Sequence, residues 1–141
     1  MTSWVIDSSV ALALVLPDEH SDRAEALLRG VRRPSLIAPS LWLYETSNAL
    51  VAAVRRRRLP EAAIPEVHDL LDALDVEIDG RADRALGRAI QALALGTGLS
   101  AYDAAYLELV ERRAPARLAT LDDQLARAAA ARGIQGLPAR R

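Results

Sequence analysis

The stretch Trp4-Val5-Ile6-Asp7-Ser8-Ser9-Val10-Ala11-Leu12-Ala13-Leu14-Val15-Leu16-Pro17 decides the fold. Its first apolar run, Trp4-Val5-Ile6, reads as a short buried strand, and Asp7-Ser8-Ser9 closes it with side chains that cap helices. Val10 to Leu16 begins that helix, so strand, polar turn and helix follow one another directly. Further out, Leu36-Ile37-Ala38, Val76-Glu77-Ile78 and Arg117-Leu118-Ala119-Thr120 read as strands, and Ile134 begins a last, short edge strand. Helical patterns fill the intervals at Ser21 to Gly30, Leu41 to Arg58, Glu61 to Leu74, Arg81 to Leu95, Ser100 to Arg113 and Asp122 to Arg132. Pro39, Pro60, Gly96-Thr97-Gly98 and Gly133 punctuate them. This alternation predicts an α/β fold with a central parallel sheet of four or five short strands flanked by helices. No internal repeat, linker or low-complexity segment interrupts it.

At 141 residues the chain suits a single domain spanning residues 1–141, and its 51% hydrophobic content is enough for an aliphatic core. All 18 basic residues are Arg. The absence of Lys excludes a P-loop lysine and Schiff-base chemistry, and the absence of Cys excludes thiol nucleophiles, disulfides and thiolate metal sites. His20 and His68 are too far apart in sequence for a local zinc motif. Carboxylate and hydroxyl chemistry remains. The N-terminus lacks the basic segment of a signal peptide, and the apolar run Val10 to Leu16 falls far short of the roughly 20 residues that cross a bilayer. A cytoplasmic protein with no membrane partner is expected.

Four acids stand where such a sheet places its chemistry, beyond the carboxyl ends of the strands. Asp7 ends the first strand and Asp122 follows the Arg117 to Thr120 strand. Each has a rival reading as a helix N-cap. Glu45 shares the Leu41 to Arg58 helix with Leu41, Trp42, Ala49 and Ala52 at helical spacing, which places a carboxylate on a largely apolar stripe. A buried Arg partner would be its structural alternative. Asp103 shares a face with Leu99, Tyr106, Leu107 and Val110, although Ser100-Ala101-Tyr102-Asp103 also fits a capping-box pattern. The four are expected to converge on one cleft, close enough to share a metal. Like charges gathered there would repel unless a cation neutralised them. Hard oxygen donors select Mg²⁺ or Mn²⁺, ions that act on phosphate esters through an activated water. Taking these four negative charges from a net charge of −1 leaves +3 on the rest of the chain, which suits a polyanionic substrate.

The chain resembles the PIN-domain family and, within it, the VapC-type ribonuclease toxins of prokaryotic toxin–antitoxin pairs. The resemblance rests on Val5-Ile6-Asp7-Ser8-Ser9-Val10, on Pro39 and Glu45 with Asn48-Ala49-Leu50, on Ser100-Ala101-Tyr102-Asp103-Ala104-Ala105-Tyr106, and on Thr120-Leu121-Asp122 followed by Leu125. It implies a PIN-like three-layer fold and metal-dependent cleavage of RNA. Asp7, Glu45 and Asp103 would be the core acidic positions for catalysis and metal binding, and Asp122 the more variable fourth. Asp123 is its rival by a one-residue shift. Ser8 and Thr120 resemble hydroxyl positions that support the acids, and Asn48 lies one turn from Glu45. The resemblance also implies a homodimer and a cognate VapB-type antitoxin. Its alternatives are a housekeeping RNA-processing nuclease and a catalytically silent PIN binding module.

Arg55-Arg56-Arg57-Arg58 reads equally as an RNA contact and as a solvated helix C-terminus. Arg55 lies about 15 Å along the helix from Glu45, beyond reach of a phosphate held at the acids. His68 is expected on an amphipathic helix, in a structural or exposed position. Trp4, Trp42, Tyr44, Tyr102 and Tyr106 read as core or interface residues, with Tyr102 the candidate exception because it adjoins Asp103. An aspartyl phosphohydrolase would also place Asp after the first strand. Asp7-Ser8-Ser9 lacks its second Asp, and a receiver domain would need a Lys.

Overall fold

A computed structural model describes residues 2–19, 21–29 and 33–138. Four parallel strands form one sheet: β1 (Ser3–Ile6), β2 (Ser35–Pro39), β3 (Glu77–Asp79) and β4 (Arg117–Ala119), in the order β3-β2-β1-β4. Val5 pairs with Ile37 on one side and Leu118 on the other, so β1 is central. Val5 and Ile6 are wholly buried, as a parallel strand covered on both faces requires.

Seven helices flank the sheet among the described residues: α1 (Ser8–Val15), α2 (Asp22–Ala26), α3 (Leu41–Arg55), α4 (Ile64–Ala73), α5 (Arg84–Thr97), α6 (Ala101–Arg112) and α7 (Asp123–Ala131). One group gathers around α1, which packs against α2, α3 and α4. The other gathers around α6, which lies against β1, β2 and β4 and carries α5 and α7. Tyr106, Leu107, Leu109 and Val110 give α6 a buried face at the centre of the core. The PIN-like α/β architecture expected from the sequence is therefore present, with four strands.

Several boundaries differ from the sequence reading, each for a local reason. α3 stops at Arg55, because Arg57 turns into the left-handed region (φ 58°) and the amides of Arg58 and Leu59 both fold back onto the Ala53 carbonyl. Four successive guanidinium groups would otherwise crowd one helix end. α5 starts after the Asp83 cap and runs through Gly96 to Thr97, closed by Gly98, whose φ of 77° is adopted most readily by a residue without Cβ. β3 sits one residue later than expected, with Asp79 drawn into ion pairs from Arg112 (2.7 Å) and Arg113 (3.8 Å) on α6. α2 covers only Asp22–Ala26, and its expected stop at Gly30 lies outside the described residues. The edge strand expected at Ile134 is not formed. A single bridge joins Leu118 to Gly136, and Pro138 just beyond has no amide to extend a ladder. No helix among the described residues is long and apolar enough to cross a membrane.

Candidate active site

The strand ends set the site. Asp7 follows β1 directly, and its amide donates to the Ala119 carbonyl at the end of β4 (3.1 Å), which fixes it between two strands. Its side chain is 6% exposed. Oδ1 accepts from the Ser9 hydroxyl (2.6 Å) and the Val10 amide (3.1 Å), while Oδ2 accepts from the Thr120 hydroxyl. The Val10 bond is the helix cap that the sequence offered as a rival explanation. One carboxylate serves both ends, capping α1 with one oxygen and meeting β4's terminal loop with the other. Ser9 Oγ in turn accepts from the Leu121 amide and Thr120 Oγ1 from the Asp122 amide, each at 3.0 Å, so that loop is tied to the start of α1.

Glu45 lies one turn into α3 and is half-buried. Its Oε1 accepts from the Tyr106 hydroxyl on α6. No Arg pairs with Glu45 among the described residues, so the ion pair posed as its alternative is replaced by a neutral donor. Asp103 makes half of a capping box: its amide donates to Ser100 Oγ (3.1 Å), but its carboxylate makes no return bond. The carboxylate is left over from capping. Asp122 caps α7 by accepting from the Leu125 amide (2.8 Å).

Burial chiefly, with a contribution from Glu45, pushes the Asp7 carboxyl up to about 6 against the hydrogen bonds from Ser9, Thr120 and Val10. Burial and the charge of Asp103 raise Glu45, opposed by the Tyr106 bond. Burial and the charge of Asp122 raise Asp103. A chain of repulsion thus runs Asp7, Glu45, Asp103, Asp122. It selects Asp122 rather than Asp123 as the acid beside Asp103. The expected gathering is nevertheless incomplete. Among the described residues no three His, Cys, Asp or Glu side chains stand close enough to hold a metal ion as they are placed.

The donor chemistry fits a hard divalent cation. All four groups are carboxylates, none is paired with Arg among the described residues, and those held by side chains are held by hydroxyls. A hydroxyl orients a carboxylate without cancelling its charge, so the negative field is retained.

Of the supporting residues, Thr120 touches Asp7 directly. Ser8 lies against the Tyr106 phenol instead, and Ser9 takes the place at Asp7. Asn48 is exposed and makes no hydrogen bond to Glu45. Ser9 and Tyr106 were missed as site residues. A signal for Ser9 existed, because the second residue of a helix lies beside its N-cap side chain. For Tyr106 the signal was weaker: a phenol on a core stripe needs a buried acceptor. Arg58 is held by Asp18 and Glu19, both at 2.8 Å, whereas Arg55, Arg56 and Arg57 are exposed and form no ion pair among the described residues. Tyr44 and Tyr102 are exposed, Trp42 is buried and His68 is exposed. His20 lies outside the described residues.

Residues 4–131 match the PIN domain family, and the chain belongs to it. Among its relatives, Ribonuclease VapC3 of Pyrobaculum aerophilum is 34% identical over 125 residues, which covers 86% of this chain and 91% of that protein. The crystal structure of PAE2754 from Pyrobaculum aerophilum shares the fold with a TM-score of 0.64 and 25% identity, over 90% of this chain and 79% of that one.

Proposed function

We propose that this protein is a Mg²⁺- or Mn²⁺-dependent endoribonuclease acting in the cytoplasm as the toxin of a toxin–antitoxin pair. The observation that carries the reading is a succession of four neighbouring carboxylates, two just beyond strand ends and two on helices, of which Asp7, Glu45 and Asp122 are oriented by hydroxyls or amides and none pairs with an Arg among the described residues. The likeness to Ribonuclease VapC3 supplies the substrate class. Asp7, Glu45, Asp103 and Asp122 would hold the ion. When bound, it supplies Lewis acidity at the scissile phosphate and lowers the pKa of the attacking water. The chain's own part is to hold four anionic oxygen donors, two on helices and two just beyond strand ends. Ser9 and Thr120 fix the Asp7 carboxylate, and Tyr106 fixes Glu45. Arg55, Arg56 and Arg57, exposed at the end of α3, would serve equally as contacts to RNA backbone flanking the cut or as a solvated helix end.

The toxin role is tested by expression alone and together with the product of the adjacent reading frame, a VapB-type antitoxin. Growth should arrest on expression alone, resume on co-expression, and continue with Asp7→Asn. An antitoxin Arg entering the cleft could pair with the carboxylates that a metal would otherwise take. Harmless expression with no co-purifying small protein would overturn the toxin role in favour of a housekeeping nuclease.

We also propose a homodimer. α5 buries none of its residues in the monomer, and Leu95 (82% exposed) and Tyr44 (75% exposed) leave apolar surface open. Light scattering at micromolar concentration should give twice the monomer mass, and a monomer would refute the assembly.

A further inference from the structure

The Tyr106 hydroxyl is the one side-chain partner that Glu45 has among the described residues. The ring is 2% exposed, so the phenol is anchored in the core of α6 while its oxygen reaches the site. This bond joins residues 61 positions apart and ties α3 to α6. Two helices that each carry a proposed site acid are thus joined through a single phenolic oxygen.

We propose that Tyr106 is a positioning residue for the metal site, donating to Oε1 of Glu45 so that this carboxylate is presented in a fixed orientation toward the ion. The inference rests on the metal-dependent reading of the site given above, and deepens it. The physical reasoning begins with the side chain itself. A glutamate has three rotatable bonds, and a half-buried one beside other carboxylates is pushed by repulsion toward solvent. An Arg or Lys could hold it, but would cancel the charge that attracts a metal. A phenol holds it and leaves the charge intact.

A phenol keeps its proton at neutral pH, so Tyr106 is the donor in this bond and Glu45 the acceptor. With Oε1 occupied, Oε2 makes no hydrogen bond among the described residues and is left to act as ligand. Groups that orient a metal ligand in this way typically contribute 10- to 100-fold in metal affinity or activity. Tyr106 also adjoins Asp103 at one-turn spacing on α6, so one helix supplies both a ligand candidate and the donor that fixes its neighbour.

The test is Tyr106→Phe, which keeps the buried ring and removes only the hydroxyl. Mn²⁺ binding is measured by calorimetry on the full chain, alongside RNA cleavage. Leu109→Ala, a core change on the same helix that does not share the i,i+4 face of Asp103, controls for general destabilisation. We expect Tyr106→Phe to weaken Mn²⁺ binding 10- to 100-fold and to lower kcat with KM for RNA unchanged, while Leu109→Ala binds Mn²⁺ like the wild type where folded. In Glu45→Gln, adding Tyr106→Phe should cost little more, because the bond has already lost its anionic acceptor. Wild-type Mn²⁺ affinity in Tyr106→Phe, or an equal loss in Leu109→Ala, would overturn the positioning role. A wild-type chain that binds Mn²⁺ but cleaves no RNA would refute the nuclease reading alone, since the affinities still decide the role of Tyr106. A wild-type chain that binds no Mn²⁺ would overturn both.

Discussion

Asp7→Asn should abolish metal-dependent RNA cleavage, by at least about 100-fold, while leaving the metal-free protein more stable than the wild type. The two effects share one cause. Asp7 is held at the most buried point of the site by Ser9, Val10 and Thr120, and burial opposes its charge. Asn keeps the shape and an oxygen for the Val10 cap, and its amide can donate to Thr120. It loses the charge that attracts a cation. A paired gain in stability and loss of activity marks a residue retained for chemistry at the expense of the fold. Thermal unfolding in EDTA and an RNA cleavage assay in Mn²⁺ check the two halves. A variant that is less stable at neutral pH, yet active, would reverse the account.

The second large effect is the pH dependence of that stability difference. In the unfolded chain the Asp7 carboxyl ionises near 3.8, and in the native protein near 6. The native state therefore holds the proton more tightly, and stability conferred by the protonated form is lost as pH rises through this window. A shift of this size corresponds to about 3 kcal/mol, present as a penalty above pH 6 and absent below pH 4. Glu45 and Asp103 are raised as well and act with the same sign. Asp79, held down by Arg112, and Asp83, held down by Arg81, act oppositely and weaken the fold as pH falls below the ordinary carboxylate range. The quantity to follow is thus the difference between wild type and Asp7→Asn, in which those groups cancel. Urea unfolding in EDTA should show the variant ahead by about 3 kcal/mol at pH 7.5 and level near pH 4. A difference independent of pH would mean that Asp7 acts through packing alone.

The sheet was legible because its strands are short apolar runs ending in capping residues, and each parallel strand must be followed by a helix that covers it. Asp7 and Thr120 were legible for the same reason, as polar residues at strand ends. Glu45 and Asp103 stood out because a carboxylate on an apolar stripe demands a partner. Which partner could not be read. The Glu45 bond to Tyr106 depends on how α3 and α6 cross, and sequence spacing within either helix carries no information about that. The choice of Ser9 over Ser8 turned on one residue of helix phase: Asp7 itself became the cap, which placed Ser9 beside its carboxylate and turned Ser8 toward Tyr106. The edge strand at Ile134 failed because pairing at a sheet edge depends on available amides and register, which a lone isoleucine does not specify. The amphipathic pattern of α5 was visible in the sequence, but that pattern records only that a face is apolar. It does not tell an internal partner from an external one: α5 packs on α6 with Leu93 against the core, while Leu95 stands open.

The central claim is that the four acids bind a hard divalent cation and cleave RNA with it. Its most direct test is cleavage of single-stranded RNA by the purified protein, free of any antitoxin, in Mn²⁺, then in excess EDTA, then with Mn²⁺ restored. Cleavage in the first and third conditions and none in the second is predicted. Undiminished cleavage in EDTA would contradict it.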